Sequence, residues 1–584
     1  MKILLTAVNA KYIHSNPAVY DLQAYAARFG QRAELAEFTI NQSRDEILRE
    51  IYLEHPDVLC FSCYIWNISF VRDLISDAAK ILPGIEIWAG GPEVSYDAGQ
   101  FLAENPAVRG VMMGEGEQTF LELMQFYNGE NKSLDMIEGI VFRTDCGEVV
   151  STGWREVLDL SEVPFPYSDL ENFEHRIIYY ESSRGCPFRC SYCLSSVDKR
   201  LRFRDLSLVK RELMFFLERR VAQVKFVDRT FNCRKEHSRE IWRFLTEHDN
   251  GITNFHFEIA ADLLEEEDFE IFSRMRPGLI QLEIGVQTTN PKTLREIHRN
   301  MDFSKASAAV RAVQKNRNIH QHLDLIAGLP WEDYESFARS FGDVYALRPQ
   351  QLQLGFLKVL KGSYMQEHTA EYGCLYRKRE PYEVLSTAWL SYGDVLKLKA
   401  VEEMVEVYYN SGQFQAVLPE MERRYENPFF MFEKLGEFYE KKSYINISHS
   451  RIRRYEILLE FLTQEEPERL EEYRQLLTYD AYARENLKSR PAFAPAEEHK
   501  QEIRSFYQWE EEHRRYLPDY ADYDWKQMSK MTHMEYFTAP IPLISQSYEA
   551  EGGYFLLFDY RCRDPLTYNA RCVVVPARLT EQGV

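Results

Sequence analysis

At 584 residues, with 45% hydrophobic and 14% aromatic side chains, the chain exceeds one hydrophobic core and reads as roughly two to four packed domains rather than a disordered protein. Its 70 Lys plus Arg against 91 Asp plus Glu leave a net charge of −21, which works against a large footprint on nucleic acid. Met1 leads straight into a short apolar run and no apolar stretch nears the ~20 residues of a membrane span, so a soluble, cytoplasmic protein is expected.

Residues 1–135 alternate short apolar strands with helical patterns. The strands are K-I-L-L-T-A-V, A-E-L-A-E-F-T, V-L-C-F-S-C-Y, I-E-I-W-A-G-G and R-G-V-M-M-G; Ala18 to Phe29 and Ser43 to Glu54 are two of the helices between them. That alternation predicts an open, mainly parallel sheet covered on both faces, a Rossmann or flavodoxin-like domain whose ligand lies beyond the carboxyl ends of the strands. The ten cysteines of a chain without an export signal are not a disulfide framework. Cys60 and Cys63 have C-x-x-C spacing but no second pair, so buried, inert thiols are the leading reading, ahead of zinc or redox use. Residues 136–175 read as a hairpin, G-I-V-F-R-T-D-C-G-E-V-V-S-T, and a stiff V-P-F-P-Y linker.

A second strand–helix series fills residues 176–380. Its strands are I-I-Y-Y-E-S, Q-V-K-F-V-D, N-F-H-F-E-I-A, L-I-Q-L-E-I-G-V-Q, H-L-D-L-I-A-G and Q-L-Q-L-G-F-L. Eight would close a full barrel, so these predict a partial (β/α)6 barrel of parallel strands. From 381 to 584 the texture changes to Tyr-rich, acidic helical stretches up to about Asp519, then to G-G-Y-F-L-L-F-D-Y and R-C-V-V-V-P, two strands flanking R-C-R-D-P-L-T-Y-N. This is a separate, mainly helical C-terminal domain. Its tyrosines read as amphipathic helix packing before a substrate cleft.

The chemistry concentrates in S-S-R-G-C-P-F-R-C-S-Y-C, just after the first strand of the second series. Cys186, Cys190 and Cys193, spaced C-x3-C-x2-C, supply thiolates for three irons of a four-iron cube, leaving the fourth iron open to an exogenous ligand. Structural zinc would want a further Cys or His close by, and none follows. The surrounding cationic run, Arg184, Arg189, Lys199, Arg200, Arg202, Arg204, Lys210 and Arg211, is broken only by Asp198 and Asp205. It reads as a solvated helix face plus charge compensation, with a nucleic-acid patch the weaker reading. Further on, strand alternation puts Glu283, Gly285 and Gln287 on one face, and a carboxylate in an apolar strand needs a partner.

The cysteine motif with these strands behind it resembles the radical S-adenosylmethionine superfamily. The resemblance implies a 4Fe–4S cluster on Cys186, Cys190 and Cys193 whose open iron takes the amino and carboxylate groups of S-adenosylmethionine. Tyr192 holds the aromatic position that packs against the adenine. Contacts to S-adenosylmethionine are implied for Asp228 in V-D-R-T-F-N, Glu258 in F-H-F-E-I-A-A-D, Glu283 and Gln287 in L-E-I-G-V-Q, and Asp324 and Gly328 in D-L-I-A-G-L-P. Core or supporting duty is an equal reading for any one of them. F-L-K-V-L-K-G-S resembles the sixth strand of the coproporphyrinogen-oxidase-like and cobalamin-linked members.

F-S-C-Y-I-W-N, W-A-G-G-P-E-V-S and M-G-E-G-E-Q-T-F resemble the cobalamin-binding domain that precedes the radical module in many methylating enzymes. That places cobalamin beside Ser62, Tyr64, Trp66, Asn67, Gly90, Gly91, Glu93, Gly114, Glu115, Gly116 and Glu117. The glycines would let backbone approach a flat ligand, and Glu115 and Glu117 would accept hydrogen bonds from it. The sequence lacks D-x-H-x-x-G, whose His ligates cobalt, as in the branch without a lower histidine ligand. An unligated flavodoxin-like fold is the alternative. His14 reads as a loop residue held by backbone before a corrin neighbour. The C-terminal domain resembles an uncharacterised domain attached to proteins of this layout.

The resemblance implies an enzyme. An electron from a reductant such as flavodoxin or ferredoxin lets the cluster cleave S-adenosylmethionine, and the resulting 5′-deoxyadenosyl radical takes hydrogen from an unactivated carbon of an unidentified substrate. Methylcobalamin then supplies a methyl group, the cofactors doing the chemistry and the protein the positioning. Cobalamin-assisted rearrangement or cyclisation is one alternative, and a non-catalytic iron–sulfur protein another. A methylthiotransferase would need a third cysteine beside Cys60 and Cys63. No residue stands out as a catalytic acid or base.

Overall fold

The computed structural model describes all residues except 131, 132, 198, 199, 543, 545–552 and 577–584; Asp198 and Lys199 of the cationic run thus lie outside the described residues. Two compact units result, residues 1–333 with 355–392, and residues 334–354 with 393–584. Among the described residues, no helix is long and apolar enough to cross a membrane.

The first unit opens with a seven-stranded sheet: β1 (Ile3–Asn9), β2 (Glu34–Thr39), β3 (Val58–Ser62), β4 (Glu86–Gly90), β5 (Val108–Met112), β6 (Ile140–Arg143) and β7 (Val149–Ser151). They lie in the order β2-β1-β3-β4-β5-β6-β7. The first five are parallel, while β6 and β7 join antiparallel. Both faces are covered, and strand alternation sorts the side chains between them. Leu4, Val8, Leu59, Phe61 and Ile87 pack against Ile47, Ile51, Val71 and Leu74 on one side. Ile3, Leu5, Val58, Cys60 and Trp88 pack against Val19, Ala26, Phe120 and Met124 on the other. Cys63 belongs to the first of these cores and Cys60 to the second. The C-x-x-C pair therefore points to opposite faces of the sheet and cannot grip one ion. Burial pushes both thiols up to about 12.

The hairpin expected within residues 136–175 extends this sheet instead of standing apart as a connector. Ile140, Val141 and Phe142 are buried, and pairing with β5 gives their backbone groups partners.

The second parallel sheet runs Ile178–Tyr180, Gln223–Phe226, Asn254–Ile259, Ile280–Gln287 and His320–Ala327 in sequential order, with Gln351–Phe356 last. This is the partial (β/α)6 barrel that the sequence predicts. The fourth strand alternates strictly, with Ile280, Leu282, Ile284 and Val286 buried and Gln281, Glu283, Gly285 and Gln287 half-buried. Its apolar face meets the helices and its polar face lines the lumen.

In the second unit the helices Pro428–Lys441, Arg451–Glu465, Leu470–Arg484 and Lys500–His513 precede a three-stranded antiparallel sheet of Thr532–Phe537, Tyr554–Arg563 and Ala570–Val575. Only the last two strands were expected. The helix Trp525–Met531 runs directly into Thr532–Phe537, so no turn residue marks the change. Tyr408, Tyr439, Tyr455 and Tyr473 are almost fully buried, and Tyr408 and Tyr439 share a 2.7 Å hydroxyl contact. These tyrosines are helix packing, not the wall of a cleft.

Candidate functional site

The cysteine loop leaves the first barrel strand and is anchored from below. Asp228, past the second strand, is fully buried and accepts bonds from Ser182 N at 2.9 Å, Ser182 Oγ at 2.7 Å and Ser183 Oγ at 2.6 Å. Burial raises its carboxyl to about 6 against the pull of those donors. With its oxygens occupied in this way, Asp228 positions the segment entering the loop, which corrects the expectation that it faces S-adenosylmethionine. Gly185 then turns with φ 97°, where a Cβ would meet the Arg200 carbonyl oxygen at 2.7 Å. Only glycine suits that turn.

Cys186, Cys190 and Cys193 are all free thiols. The Cys186 Sγ lies 3.7 Å from Thr230 Oγ1, and burial raises its thiol. Across the loop, Arg299 Nη1 stands 3.4 Å from both Cys190 Sγ and Tyr192 Oη, and Nη2 donates to the Gly285 carbonyl. Main-chain bonds pin the pieces together, from Ser191 N to Ile297 O and from Met365 N to Ser191 O, each 2.9 Å. Three free thiols on one loop beside a guanidinium suit an iron–sulfur cube, because the cation offsets its negative charge. Arg299 is the residue that sequence reasoning missed. It sits in H-R-N-M, with no strand alternation or cysteine spacing to mark it.

Inside the barrel, Glu258, Glu283 and Asp324 are brought together by register, Glu258 opposite Glu283 and Gly285 opposite Asp324. Burial pushes Glu258 up to about 7. Glu283 is pushed the same way by burial, but a hydrogen bond from His256 and the charge of Lys225 outweigh it and hold the group at about 2. Gln287 sits at φ 71°, with its Oε1 buried and unpaired. Gly328 (φ 88°) faces Val384, whose Cγ1 a Cβ would approach to 2.8 Å.

Glu258 gives a stability prediction. A carboxyl raised in the fold favours its neutral form, so its share of stability is complete below the ordinary value of 4.5 and is lost as pH rises through about 7. Over that range the protein is expected to lose about 2 kcal/mol after screening by partial exposure. Glu258→Gln should flatten the dependence, as read by denaturant unfolding from pH 5 to 8. An equally steep curve in the variant would refute this.

At the carboxyl edge of the first sheet, the glycines serve the protein's own packing. Gly91 turns with φ 109° and a Cβ there would lie 2.5 Å from the Cys63 carbonyl oxygen; at Gly116 it would lie 2.9 Å from Leu22. Gly90 makes only ordinary contact with Met112, while Gly114 (φ 72°) sits under the Trp154 ring. Ser62 Oγ accepts from Asn16 Nδ2 at 2.8 Å. Asn67 Nδ2 donates to the Val8 and Ser62 carbonyls, both at 2.9 Å, and Tyr64 stacks on Trp66 at 4.4 Å. Glu93 is buried and accepts from Tyr382 Oη at 2.7 Å.

Glu115 and Glu117 differ most from expectation. Arg202 forks onto Glu115, with Nη1 to Oε2 at 2.9 Å, and Arg184 Nη2 donates to Glu117 Oε1 at 2.7 Å. Both acids are engaged by arginines flanking the cysteine loop, which corrects their reading as acceptors held open for cobalamin. It also explains part of the cationic run: Arg184, Arg202, Arg204 and Lys210 are paired with Glu117, Glu115, Glu212 and Glu240. His14 Nδ1 lies 2.7 Å from Tyr179 Oη, a side-chain partner where a backbone one was expected. What this edge does expose is aromatic surface, with Tyr12 (61%), Trp66 (41%), Tyr96 (37%) and Trp154 (57%) in the loops beyond β1, β3, β4 and β7. An exposed apolar rim of this kind marks a ligand surface, and it suits a large, flat cofactor such as a corrin.

Three family models match in tandem: B12 binding domain over residues 3–124, Radical SAM superfamily over 180–344, and protein of unknown function (DUF4080) over 370–558. The 2-(S-pantetheinyl)-carbapenam-3-carboxylate methyltransferase of Streptantibioticus cattleyicolor is 26% identical over 306 residues, 50% of this chain and 45% of that protein. The anaerobic magnesium-protoporphyrin IX monomethyl ester cyclase of Synechocystis is 26% identical over 249 residues, 40% of this chain and 48% of that protein. The chain thus spans about half the length of these curated relatives. Among solved structures, the cobalamin-dependent S-adenosylmethionine radical enzyme OxsB, with aqua-cobalamin and S-adenosylmethionine bound, shares the fold with TM-score 0.59 at 16% identity, covering 82% of this chain and 79% of that one. With these domain models in series over this fold, the chain belongs to the cobalamin-binding-domain-containing family of radical S-adenosylmethionine proteins.

Proposed function

We propose that this chain is a radical S-adenosylmethionine enzyme that methylates an unactivated carbon with the help of cobalamin. Cys186, Cys190 and Cys193 hold the 4Fe–4S cluster. Tyr192, Glu258, Glu283, Gln287, Asp324 and Gly328 line the S-adenosylmethionine site, with Arg299 beside them. The cobalamin surface takes in Tyr64, Trp66, Gly90 and Gly114, with Tyr12, Tyr96 and Trp154 as its rim, while Ser62, Asn67, Gly91, Glu93 and Gly116 shape the backbone beneath it. One observation carries the reading. The ion pairs of Glu115 and Glu117 with Arg202 and Arg184 tie the carboxyl edge of the first sheet to the cysteine loop, so two cofactor surfaces address one space.

When bound, a cluster on Cys186, Cys190 and Cys193 would supply one-electron reductive cleavage of S-adenosylmethionine, and cobalamin would supply methyl transfer. The chain's own residues bind and orient. Arg299 offsets charge at Cys190, and Asp228 fixes the loop entry. Electrons would come from a flavodoxin- or ferredoxin-type reductant.

Anaerobic protein from cobalamin-fed cells should carry about four irons and one cobalt per chain, and Cys190→Ala should lose the iron. Supplied with electrons, the holoenzyme should release 5′-deoxyadenosine and S-adenosylhomocysteine together. A full cluster without cobalt would remove methyl transfer and leave the radical reading standing. 5′-Deoxyadenosine alone would favour a rearrangement or cyclisation, the second reading, in line with the cyclase among the relatives.

A further inference from the structure

At the floor of the proposed S-adenosylmethionine site, the barrel lumen sets His322, which that reading leaves unused, beside Glu283 and Asp324. Glu283 stands directly opposite His322, and Asp324 follows two residues on, on the same face. One donor atom from each lies within 4.8 Å of the others. His322 is only 7% exposed. Its Nε2 is 2.9 Å from Asp324 Oδ1, but the two are not aligned for a hydrogen bond, and both atoms are buried with no such partner. We propose that Glu283, His322 and Asp324 form a site for one divalent transition-metal ion of the zinc class, distinct from the iron–sulfur cluster.

The far side of Glu283 is built as a metal ligand's support should be. Gln281 Nε2 donates to His256 Nδ1 at 3.1 Å, which leaves His256 Nε2–H to donate to Glu283 Oε2 at 2.8 Å. Such outer contacts fix a carboxylate's orientation toward a metal. Charge points the same way. Three carboxylates, Glu258, Glu283 and Asp324, share a lumen in which Lys225 stands 3.1 Å from Glu283. The two proposed carboxylate ligands, Glu283 and Asp324, carry two negative charges against the single positive charge of Lys225, which favours a cation between them. One imidazole with two carboxylates selects zinc-class ions over magnesium or calcium, which prefer an all-oxygen shell. Tetrahedral zinc sets its donors ~3.4 Å apart, so His322 and Asp324, at 2.9 Å, open slightly, and no pair of the trio closes by more than ~1.4 Å. The second oxygen of Asp324 remains for the nucleoside.

The test uses cluster-loaded holoenzyme, equilibrated with zinc chloride, passed into metal-free buffer, and assayed for iron and zinc in one sample. About one zinc per chain is expected beside an unchanged iron content. His322→Ala should lower the retained zinc at least about tenfold with iron intact. Zinc equal in wild type and His322→Ala, or none retained by the wild type, overturns the proposal. Should His322→Ala fail to fold, His322→Cys keeps a donor. Its zinc-edge X-ray absorption should then show one sulfur near ~2.3 Å, where the wild type shows only nitrogen and oxygen. A sulfur-free shell in His322→Cys also overturns it.

Discussion

Replacing Arg299 by alanine is expected to lower the reduction potential of the iron–sulfur cluster by about 100 mV, with an upper bound near 200 mV. The guanidinium lies 3.4 Å from Cys190 Sγ. At an effective dielectric of about 20, a unit charge pair at that separation is worth about 5 kcal/mol, or roughly 200 mV for one electron. Delocalisation over the cluster and the half-buried setting of Arg299 reduce that figure. Burial works against the guanidinium's charge, but Tyr192 and Cys190 outweigh it and raise its basicity, so the charge persists at any working pH. Lysine retains the charge but loses the fork onto Tyr192 and Gly285, so Arg299→Lys should recover most of the potential while S-adenosylmethionine binding stays weakened. An EPR-monitored redox titration of the three proteins separates the effects. A potential unmoved in Arg299→Ala would show that the cation is too screened to matter.

Arg299 also shows where reading the sequence stops. Elements with a period were legible: strands of both parallel sheets, helices such as Arg44–Glu54 behind its Ser43 cap, and the cysteine spacing. The fourth barrel strand could be resolved to individual faces because apolar and polar residues alternate without exception. Side chains that act across the fold leave no such trace. Arg299 reaches Cys190 over a separation of 109 positions, and Arg202 reaches Glu115 over 87. Glu115 and Glu117 looked available for a ligand because nothing local shows that two arginines from another domain claim them. Asp228 looked like a cofactor contact for the same reason, since Ser182 and Ser183 are distant in sequence. The exposed rim of Tyr12, Tyr96 and Trp154 emerges only once the sheet places separate loops at one edge. Thr532–Phe537 was lost for a local reason, a strand that begins without a turn.

Removing Glu117 should destabilise the first unit more than removing Glu115, although Glu115 makes more contacts. The Glu117 side chain is 5% exposed and that of Glu115 is 18%, and an ion pair whose carboxylate is out of water costs more to break than one whose carboxylate is partly solvated. Arg184 keeps Glu181 at 2.8 Å, so the loss for Glu117→Gln falls below the full ~3–5 kcal/mol of a broken buried pair, at about 2 kcal/mol. Glu115→Gln should cost about 1 kcal/mol. Burial raises the Glu117 carboxyl, but Arg184 outweighs it and the net shift is downward. Its contribution is therefore present above the ordinary value of 4.5 and is lost as pH falls below it. The difference between wild type and Glu117→Gln should shrink in acid and persist at neutral pH. Because these arginines flank the cysteine loop, the same variants should release iron in the same order, Glu117→Gln before Glu115→Gln, when denaturant unfolding is followed by cluster absorbance. Equal midpoints for the two variants would mean that the number of ion pairs, and not their burial, holds the loop to the sheet.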